Sequence, residues 1–234
     1  FLALIGQNGS GKTTLIKHMN GLLKATKGSV VVGGEPVKDQ RVSDMAKYIG
    51  YVFQNPAHQI FSDSVEEEIA FGPRNLGYPA DEVRSLVDQA LADVELEKWR
   101  TEMPFMLGRG QMQRLAIASI LSMKPSVLII DEPTTGLDWR ECIRVMDLVK
   151  KLNDAGHTII MTTHSMKLVA LYAKRVVVLC AGEKILDGTV DEAFRNTELL
   201  KCAYIKAPQV YRIMDAVPEI AVDNYDIQHV ADKI

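Results

Sequence analysis

Apolar residues run without interruption through several short segments of the chain, and this pattern predicts buried β-strands. The runs lie at Phe1–Ile5, Val30–Val32, Ile49–Phe53, Val127–Ile130, Thr158–Thr162 and Val176–Leu179. Strands buried on both faces show continuous rather than alternating hydrophobicity, which is typical of parallel sheets covered by helices. We therefore expect a largely parallel sheet.

Helical periodicity fills intervals between these runs, at about Lys12–Leu23, Ala80–Val94, Gln111–Met123 and Arg140–Leu152. Strands that alternate with helices predict the α/β fold class. The stretch 63–124 contains no convincing buried strand and has the pattern of three helices, so we expect a helical subdomain there, inserted into a core of residues 1–62 and 125–196. Residues 197–234, interrupted by Pro208 and Pro218, are expected to form a helical extension or a linker.

Composition narrows the classes of function. The chain has 234 residues, of which 47% are hydrophobic and 24% charged, which is typical of a globular protein and excludes disorder. The net charge of -3 provides no general attraction for nucleic acid. Three scattered cysteines favour a reducing compartment, and no apolar run approaches the roughly 20 residues needed to span a bilayer. The chain begins inside an apolar run, so we expect it to be truncated at its N-terminus.

The segment from Gly6 to Thr13 matches the phosphate-binding pattern G-x-x-x-x-G-K-[ST] and lies between a predicted strand and a predicted helix. Its glycines allow backbone N–H groups to face phosphate, and the helix that follows adds its positive N-terminus. Lys12 is expected to bridge β- and γ-phosphate oxygens, and the Thr13 hydroxyl to bind Mg²⁺. The predicted nucleotide-binding residues of this loop are Asn8, Gly9, Ser10, Gly11, Lys12, Thr13 and Thr14.

Two carboxylates, Asp131 and Glu132, follow the apolar run Val127–Ile130. The carboxyl ends of parallel strands meet at the edge of the sheet where ligands bind, so both acids are expected beside the phosphate loop. We assign Mg²⁺ binding to Asp131, through water, and the role of general base in attack on the γ-phosphate to Glu132. Such a pair, taken alone, would more often be two solvated acids at a strand end. Because the chain also contains the phosphate loop, we favour the catalytic interpretation.

Further motifs follow in a fixed order: Gln54 after a strand, Leu107–Arg114 before a helix, the segment Asp131–Asp138, and Thr162–His164. Together they closely resemble the nucleotide-binding cassette of ABC transporters over about residues 1–195. The resemblance implies a P-loop NTPase core with a helical subdomain and ATP hydrolysis with ATP and Mg²⁺ as cofactors. It also implies a head-to-tail dimer with a second cassette, identical or different, in which the signature loop of one chain completes the ATP site of the other.

The resemblance assigns roles to residues at matching positions. Gln54 is expected to be the Q-loop glutamine near Mg²⁺, with a part in catalysis, and His164 the switch histidine on the γ-phosphate. Asp138 is expected to act across the dimer. The signature residues, expected to contact the nucleotide held by the partner, are Gly108, Arg109, Gly110 and Gln111.

Within that family, the segments Val52–Phe61 and Val65–Pro73 are similar to the ATPases of energy-coupling factor (ECF) importers, which take up vitamins or transition-metal ions. This resemblance implies a transmembrane coupling subunit, a substrate-binding membrane subunit, and a peripheral position on the cytoplasmic face of the membrane. The region of Ile60 and Phe61 is expected to line the groove that receives a coupling helix, although both side chains could instead face the core. The alternatives are a generic ABC importer, a soluble ABC-type ATPase acting on DNA or ribosomes, and a nucleotide-binding scaffold without turnover; the last is disfavoured by Glu132 and His164.

The signature departs from the usual Leu-Ser-Gly-Gly-Gln of the family and is here Leu107-Gly108-Arg109-Gly110-Gln111. The serine hydroxyl that helps to bind the partner's γ-phosphate is absent, and a hydrogen bond to a charged group contributes about 1.5–3 kcal/mol. Arg109 is a candidate to restore part of this, since a guanidinium near a helix N-terminus adds positive charge facing the phosphates.

Overall fold

The computed structural model describes residues 1–216, which form two compact units. One unit joins Phe1–Lys12 to residues 161–216, and the other contains Thr13–Ile160. In chain order the strands are β1 (Leu2–Ile5), β2 (Val31–Val32), β3 (Glu35–Pro36), β4 (Ile49–Val52), β5 (Val127–Asp131), β6 (Thr158–Thr162), β7 (Arg175–Cys180) and β8 (Glu183–Thr189).

The α-helices, in chain order, are α1 (Lys12–Met19), α2 (Val42–Met45), α3 (Val65–Asn75), α4 (Ala80–Asp93), α5 (Arg109–Leu121), α6 (Trp139–Asp154), α7 (Met166–Tyr172), α8 (Val190–Arg195), α9 (Thr197–Cys202) and α10 (Gln209–Ala216). All six predicted strands and all four predicted helices are present, with small differences in their ends. The expectation of a buried strand was wrong for β2, since Val31 is 56% exposed and β2 pairs antiparallel with β3 in a separate two-stranded sheet. The α/β fold with mainly parallel pairing is confirmed.

In the first unit, β1 pairs in parallel with β7, and β7 pairs antiparallel with β8. Strand β8 was not predicted, because its residues are half exposed and carry no continuous apolar run. The hairpin turn between β7 and β8 is Ala181–Gly182, and both residues have positive φ, at 50° and 85°. Two positive φ values in a two-residue loop are the geometry whose twist matches that of antiparallel strands.

Helices α7 to α10 pack around an apolar cluster that also contains the inner residues of β1 and β7. Phe194 of α8 and Tyr211 of α10 meet edge to face within it, with ring centroids 5.1 Å apart. The predicted extension 197–234 therefore contains two helices in its described part, and residues 217–234 lie outside the described residues. Its role as an extension or linker stays a prediction.

In the second unit, β4 and β5 pair in parallel, with Ile49 opposite Val127 and Val52 opposite Ile130. Helix α5 is buried along most of its length and lies against β4 at Gly50. A Cβ added to Gly50 would collide with Ile120 and lie 3.1 Å from Pro125, so the glycine permits this close approach.

Three helices, α3 to α5, occupy the stretch in which three helices were expected. The subdomain bounds, 63–124, and those of the core, 1–62 and 125–196, remain predictions; the two compact units divide the chain at other residues. Within residues 1–216, no helix combines the length and apolar character needed to cross a bilayer.

Candidate functional site

The phosphate loop links β1 to α1, and its shape depends on glycine. Gly6, Gly9 and Gly11 have φ values of 155°, 80° and 99°. A Cβ on Gly6 would collide with the carbonyl oxygen of Leu179 and lie 2.6 Å from Ser10 Oγ. Around Gly9 a Cβ would meet no atom within 4 Å, so this side of the loop is open. The loop thus presents an accessible backbone to a ligand, as phosphate binding requires.

Two hydrogen bonds hold the loop within its own unit. Ser10 N donates to Gln7 O at 3.1 Å, and Gly182 N, in the β7–β8 turn, donates to Ser10 O at 3.1 Å. Ser10 Oγ is buried and has no hydrogen-bond partner among residues 1–216. A buried hydroxyl without a partner is costly, so a ligand that accepts its proton would relieve that cost.

Lys12 folds back over the loop that precedes it. Its Nζ donates to Gly6 O at 2.8 Å and to Gln7 O at 3.1 Å, and the residue is only 8% exposed. Thr13 and Thr14 follow in the first turn of α1 and are exposed, as is Asn8. The ammonium group is therefore already directed at the hollow of the loop.

Asp131 ends strand β5 and Glu132 follows it, and both are buried, at 7% and 8% exposure. Tyr51 Oη donates to Asp131 Oδ2 at 2.9 Å. Burial and the neighbouring Asp131 raise the pKa of Tyr51 above its ordinary value, so the phenol stays protonated and remains a donor. Tyr51 was not singled out from the sequence, although it lies opposite Ile129, two residues before Asp131.

Glu132 has a φ of 50°, in the left-handed region that non-glycine residues seldom occupy. Such a conformation costs about 1–3 kcal/mol and persists only where the surroundings enforce it. The turn after Glu132 is closed by Thr135 N donating to Glu132 O at 3.2 Å. The strained residue is the one to which the sequence assigns the general base.

Asp138 directly precedes helix α6 and caps it, because its Oδ1 accepts a hydrogen bond from Glu141 N at 2.9 Å. The signature residues begin helix α5: Gly108 precedes it, Arg109 is its first residue, and Gly110 is buried. Gln111 Oε1 accepts from Gly108 N at 2.8 Å and so closes the start of the helix. The expected signature motif thus forms a helix N-terminus.

Gln54 is exposed, two residues after β4. Its loop is held by Gln59, which the sequence did not single out for this role. Gln59 Oε1 accepts from Phe53 N at 3.1 Å, and Gln59 Nε2 donates to Ala116 O at 2.8 Å and Ser119 Oγ at 3.1 Å. Because Ala116 and Ser119 belong to α5, Gln59 connects the loop of Gln54 to the signature helix.

The expected groove residues differ from each other in exposure. Ile60 is 3% exposed and belongs to the core, whereas Phe61 is 60% exposed and meets Phe71 edge to face at 4.7 Å. Glu68, itself 3% exposed, accepts through Oε2 from Phe61 N at 3.0 Å and Ser62 N at 2.9 Å. Phe61 is thus exposed on a segment that a buried carboxylate holds in place.

His164 is exposed and lies two residues after β6, in the first unit. The turn around it is shaped by Ser165 N, which donates to Thr163 Oγ1 at 3.0 Å. Its position just beyond the end of a strand agrees with the position expected from the sequence.

The side-chain oxygens of Asp131 and Thr13 are of the kind that Mg²⁺ binds. No group of three or more His, Cys, Asp or Glu side chains able to hold a metal occurs in the part of the chain that the structure describes. Mg²⁺ binds through one or two carboxylates, hydroxyls, waters and nucleotide phosphates rather than in all-protein cages. Asp131 supplies a buried carboxylate that Tyr51 orients by a hydrogen bond, and Thr13 supplies a hydroxyl, so the two residues offer the kinds of oxygen ligand that Mg²⁺ binds.

The sequence matches the family described as "ABC transporter" over residues 1–135, and over residues 104–170 it matches one described as "AAA domain, putative AbiEii toxin, Type IV TA system". It is 51% identical, over 90% of its length, to a putative ABC transporter ATP-binding protein of Caldanaerobacter subterraneus subsp. tengcongensis. It is 43% identical, over 92% of its length, to the energy-coupling factor transporter ATP-binding protein EcfA of Methanocaldococcus jannaschii. The chain spans 37% of the first of these proteins and 77% of the second.

Among solved structures, the chain is similar to CbiO1 of Clostridium perfringens, described as part of the ABC transporter complex CbiONQ. The TM-score is 0.78 at 37% identity, covering 92% of this chain and 86% of that one. It is also similar to the dimeric ATP-binding cassette MJ0796 in a post-hydrolysis state bound to ADP and Pi, with a TM-score of 0.71 at 29% identity, covering 81% and 85% of the two chains.

Proposed function

The chain belongs to the ATP-binding cassettes of ABC transporters, and from this membership we propose that it is the ATP-hydrolysing subunit of an ECF-type importer. The observation that carries the proposal is the phosphate loop from Gly6 to Thr13, in which an open glycine backbone, a buried hydroxyl and an inward lysine come together. The similarity to EcfA and CbiO1 supports the ECF type. The cargo would be a vitamin or a transition-metal ion.

The side chains of the loop suggest how ATP is bound. Lys12 Nζ can exchange the carbonyl oxygens of Gly6 and Gln7 for phosphate oxygens, which carry more negative charge and form stronger hydrogen bonds. Ser10 Oγ gains an acceptor in the same step. Binding would therefore use groups already directed at the loop and need little rearrangement.

The acids would carry out the chemistry. We assign to Glu132 the acceptance of a proton from the attacking water, with Gln54 and His164 assisting at the γ-phosphate. Asp131 would hold Mg²⁺, a Lewis acid that neutralises phosphate charge, and Tyr51 fixes the Asp131 carboxylate by its hydrogen bond. The signature residues Gly108 to Gln111, with Asp138, would serve the dimer interface.

The proposed partners are a second cassette, a transmembrane coupling subunit and a substrate-binding membrane subunit, with this chain peripheral on the cytoplasmic face. The dimeric state of MJ0796 and the description of CbiO1 as part of a complex support this assignment. Phe61 and Phe71 are suited to the coupling helix, since an apolar pair favours a helix-in-groove contact.

Purification of the protein from membranes tests this proposal. We expect membrane subunits and a second cassette to copurify, with a captured vitamin or metal ion identified by mass spectrometry. Copurification with ribosomes or DNA, without membrane subunits, would instead support the soluble ABC-type ATPase.

A further inference from the structure

Arg109, the residue that most alters the signature, lies against a glycine of its own chain. A Cβ built on Gly136 would lie 2.6 Å from Arg109 Cζ, 2.6 Å from Nη1 and 2.8 Å from Nη2. These nearly equal distances mean that the guanidinium presents its flat face to the Gly136 backbone. Gly136 also has a φ of 75°, so glycine is favoured both by conformation and by space.

A second contact joins the same two segments. A Cβ on Gly110 would lie 2.9 Å from Glu141 Cδ, so the Glu141 carboxylate covers the first turn of α5. Glu141 Oε1 accepts from Arg144 Nη1 at 2.8 Å, while Oε2 is buried and has no hydrogen-bond partner among residues 1–216. Each segment thus places a charged side chain over a glycine of the other.

Electrostatics alone does not explain the position of Arg109. A cation in the first turn of a helix is disfavoured by the helix dipole, and no carboxylate in the described part of the chain forms an ion pair with Arg109. Planar packing does explain it, because a guanidinium is weakly hydrated on its faces and stacks on flat groups. Lysine has no such face.

We infer that Arg109 is a positioning residue that fixes the loop 134–138 to the start of helix α5 within one chain. In this arrangement the signature and Asp138 change position together, so the two elements that serve the dimer interface act as one body. This role differs from the expectation that Arg109 faces the partner's phosphates. It rests on the proposed function, since the two elements meet a common interface only in a cassette dimer.

The first test needs no nucleotide. Arg109→Ala should speed amide hydrogen exchange of residues 134–138 by about 10-fold, within the range expected for coupled neighbours. Arg109→Lys should keep the charge and still exchange faster than wild type. Exchange equal to wild type in Arg109→Ala would overturn the inference, whatever the ATPase activity.

The second test is steady-state ATP hydrolysis by the assembled complex. A positioning role predicts that Arg109→Ala lowers kcat by about 10-fold with little change in KM, and that Gly136→Ala does the same by displacing the guanidinium. The double variant should be no slower than the slower single variant, because both changes remove one contact. A rise in KM for Arg109→Ala, with additive effects in the double variant, would show direct phosphate contact and contradict the inference.

Gly77→Ala is the matched control. Gly77 also has a positive φ, of 82°, but a Cβ there would meet no atom within 4 Å. It therefore introduces the same kind of backbone strain without displacing a side chain, and its kcat should equal that of wild type. If the wild-type complex neither bound nor hydrolysed ATP, the proposed function would fail, while the exchange result would still decide on the contact.

Discussion

Among single residues, Lys12 links the phosphate loop most directly to ATP binding, through its ammonium group. It is nearly buried and bound to carbonyl oxygens of Gly6 and Gln7, so its charge is held where phosphate is expected. Lys12→Ala should weaken ATP binding by roughly 10- to 100-fold, the equivalent of one charged hydrogen bond.

Calorimetry with ATP and Mg²⁺ measures this, with Lys27→Ala as the control, since Lys27 is an exposed lysine outside the loop. Thermal unfolding of Lys12→Ala should be followed too, because the variant also loses two hydrogen bonds within the loop. Unchanged affinity in a folded Lys12→Ala protein would mean that the loop does not bind nucleotide through this lysine.

Some residue positions could be predicted from the sequence and others could not. The pattern from Gly6 to Thr13 and the acid pair at Asp131 are local, so spacing and flanking strands were sufficient to find them. Tyr51 and Gln59 act on residues 80 and 57 positions away in the chain, through strand pairing and helix packing. Such contacts depend on the tertiary fold, and no local pattern marks them.

At the scale of elements, the start of α3 is joined to the preceding loop by the buried Glu68 carboxylate. Its Oε2 accepts hydrogen bonds from two backbone donors of that loop, Phe61 N and Ser62 N, and removal of the carboxylate would break both. Glu68→Ala should therefore lower the free energy of unfolding by about 2–4 kcal/mol, since charged hydrogen bonds contribute about 1.5–3 kcal/mol each and are partly redundant.

Glu67→Ala, at the preceding position, is the matched control. Glu67 forms an ion pair with Arg74 in which both side chains are about half exposed. Exposed pairs contribute about 0–1 kcal/mol, so this variant should unfold nearly as wild type does. Urea denaturation measures both variants, and equal unfolding midpoints for the two would show that the Glu68 carboxylate does not stabilise the segment.

At this scale, the elements that could be predicted from the sequence were those with continuous or periodic apolar residues. Strands β5 and β6 were recognised because they are buried along most of their length, and helix α6 because of its periodic apolar face. Strand β8 is an edge partner of β7 with mixed polarity, and the Ala181–Gly182 turn before it is a weak signal. The register that places Arg109 over Gly136 depends on the packing of α5 near α6, which propensity does not specify.

For the whole molecule, the altered signature predicts that the two ATP sites of the dimer differ in hydrolysis rate if the partner cassette carries an intact signature. The site built on this chain's Lys12 and Glu132 should be the faster, and the site completed by Gly108 the slower. The missing serine hydroxyl corresponds to roughly 10- to 100-fold in rate, and Arg109, which packs on Gly136 of its own chain, is not expected to replace it.

Inactivating one catalytic glutamate at a time in the assembled heterodimer gives the rate of each site, and Gly108→Ser should accelerate the slower one. Equal rates from the two sites, with no gain from the serine, would mean that the altered signature is fully compensated.

The most direct test of the central claim measures phosphate release from ATP by the protein in its membrane complex. Wild type is compared with a complex that carries Glu132→Gln in this chain and the same change at the matching glutamate of the partner cassette. Glutamine preserves the shape of the strained residue but cannot accept the proton of water, and general base catalysis contributes about 10²- to 10⁴-fold. We predict that Glu132→Gln binds ATP with wild-type affinity and releases phosphate slower by that factor. Phosphate release at the wild-type rate would contradict the assignment of Glu132 as the base and the catalytic account built on it.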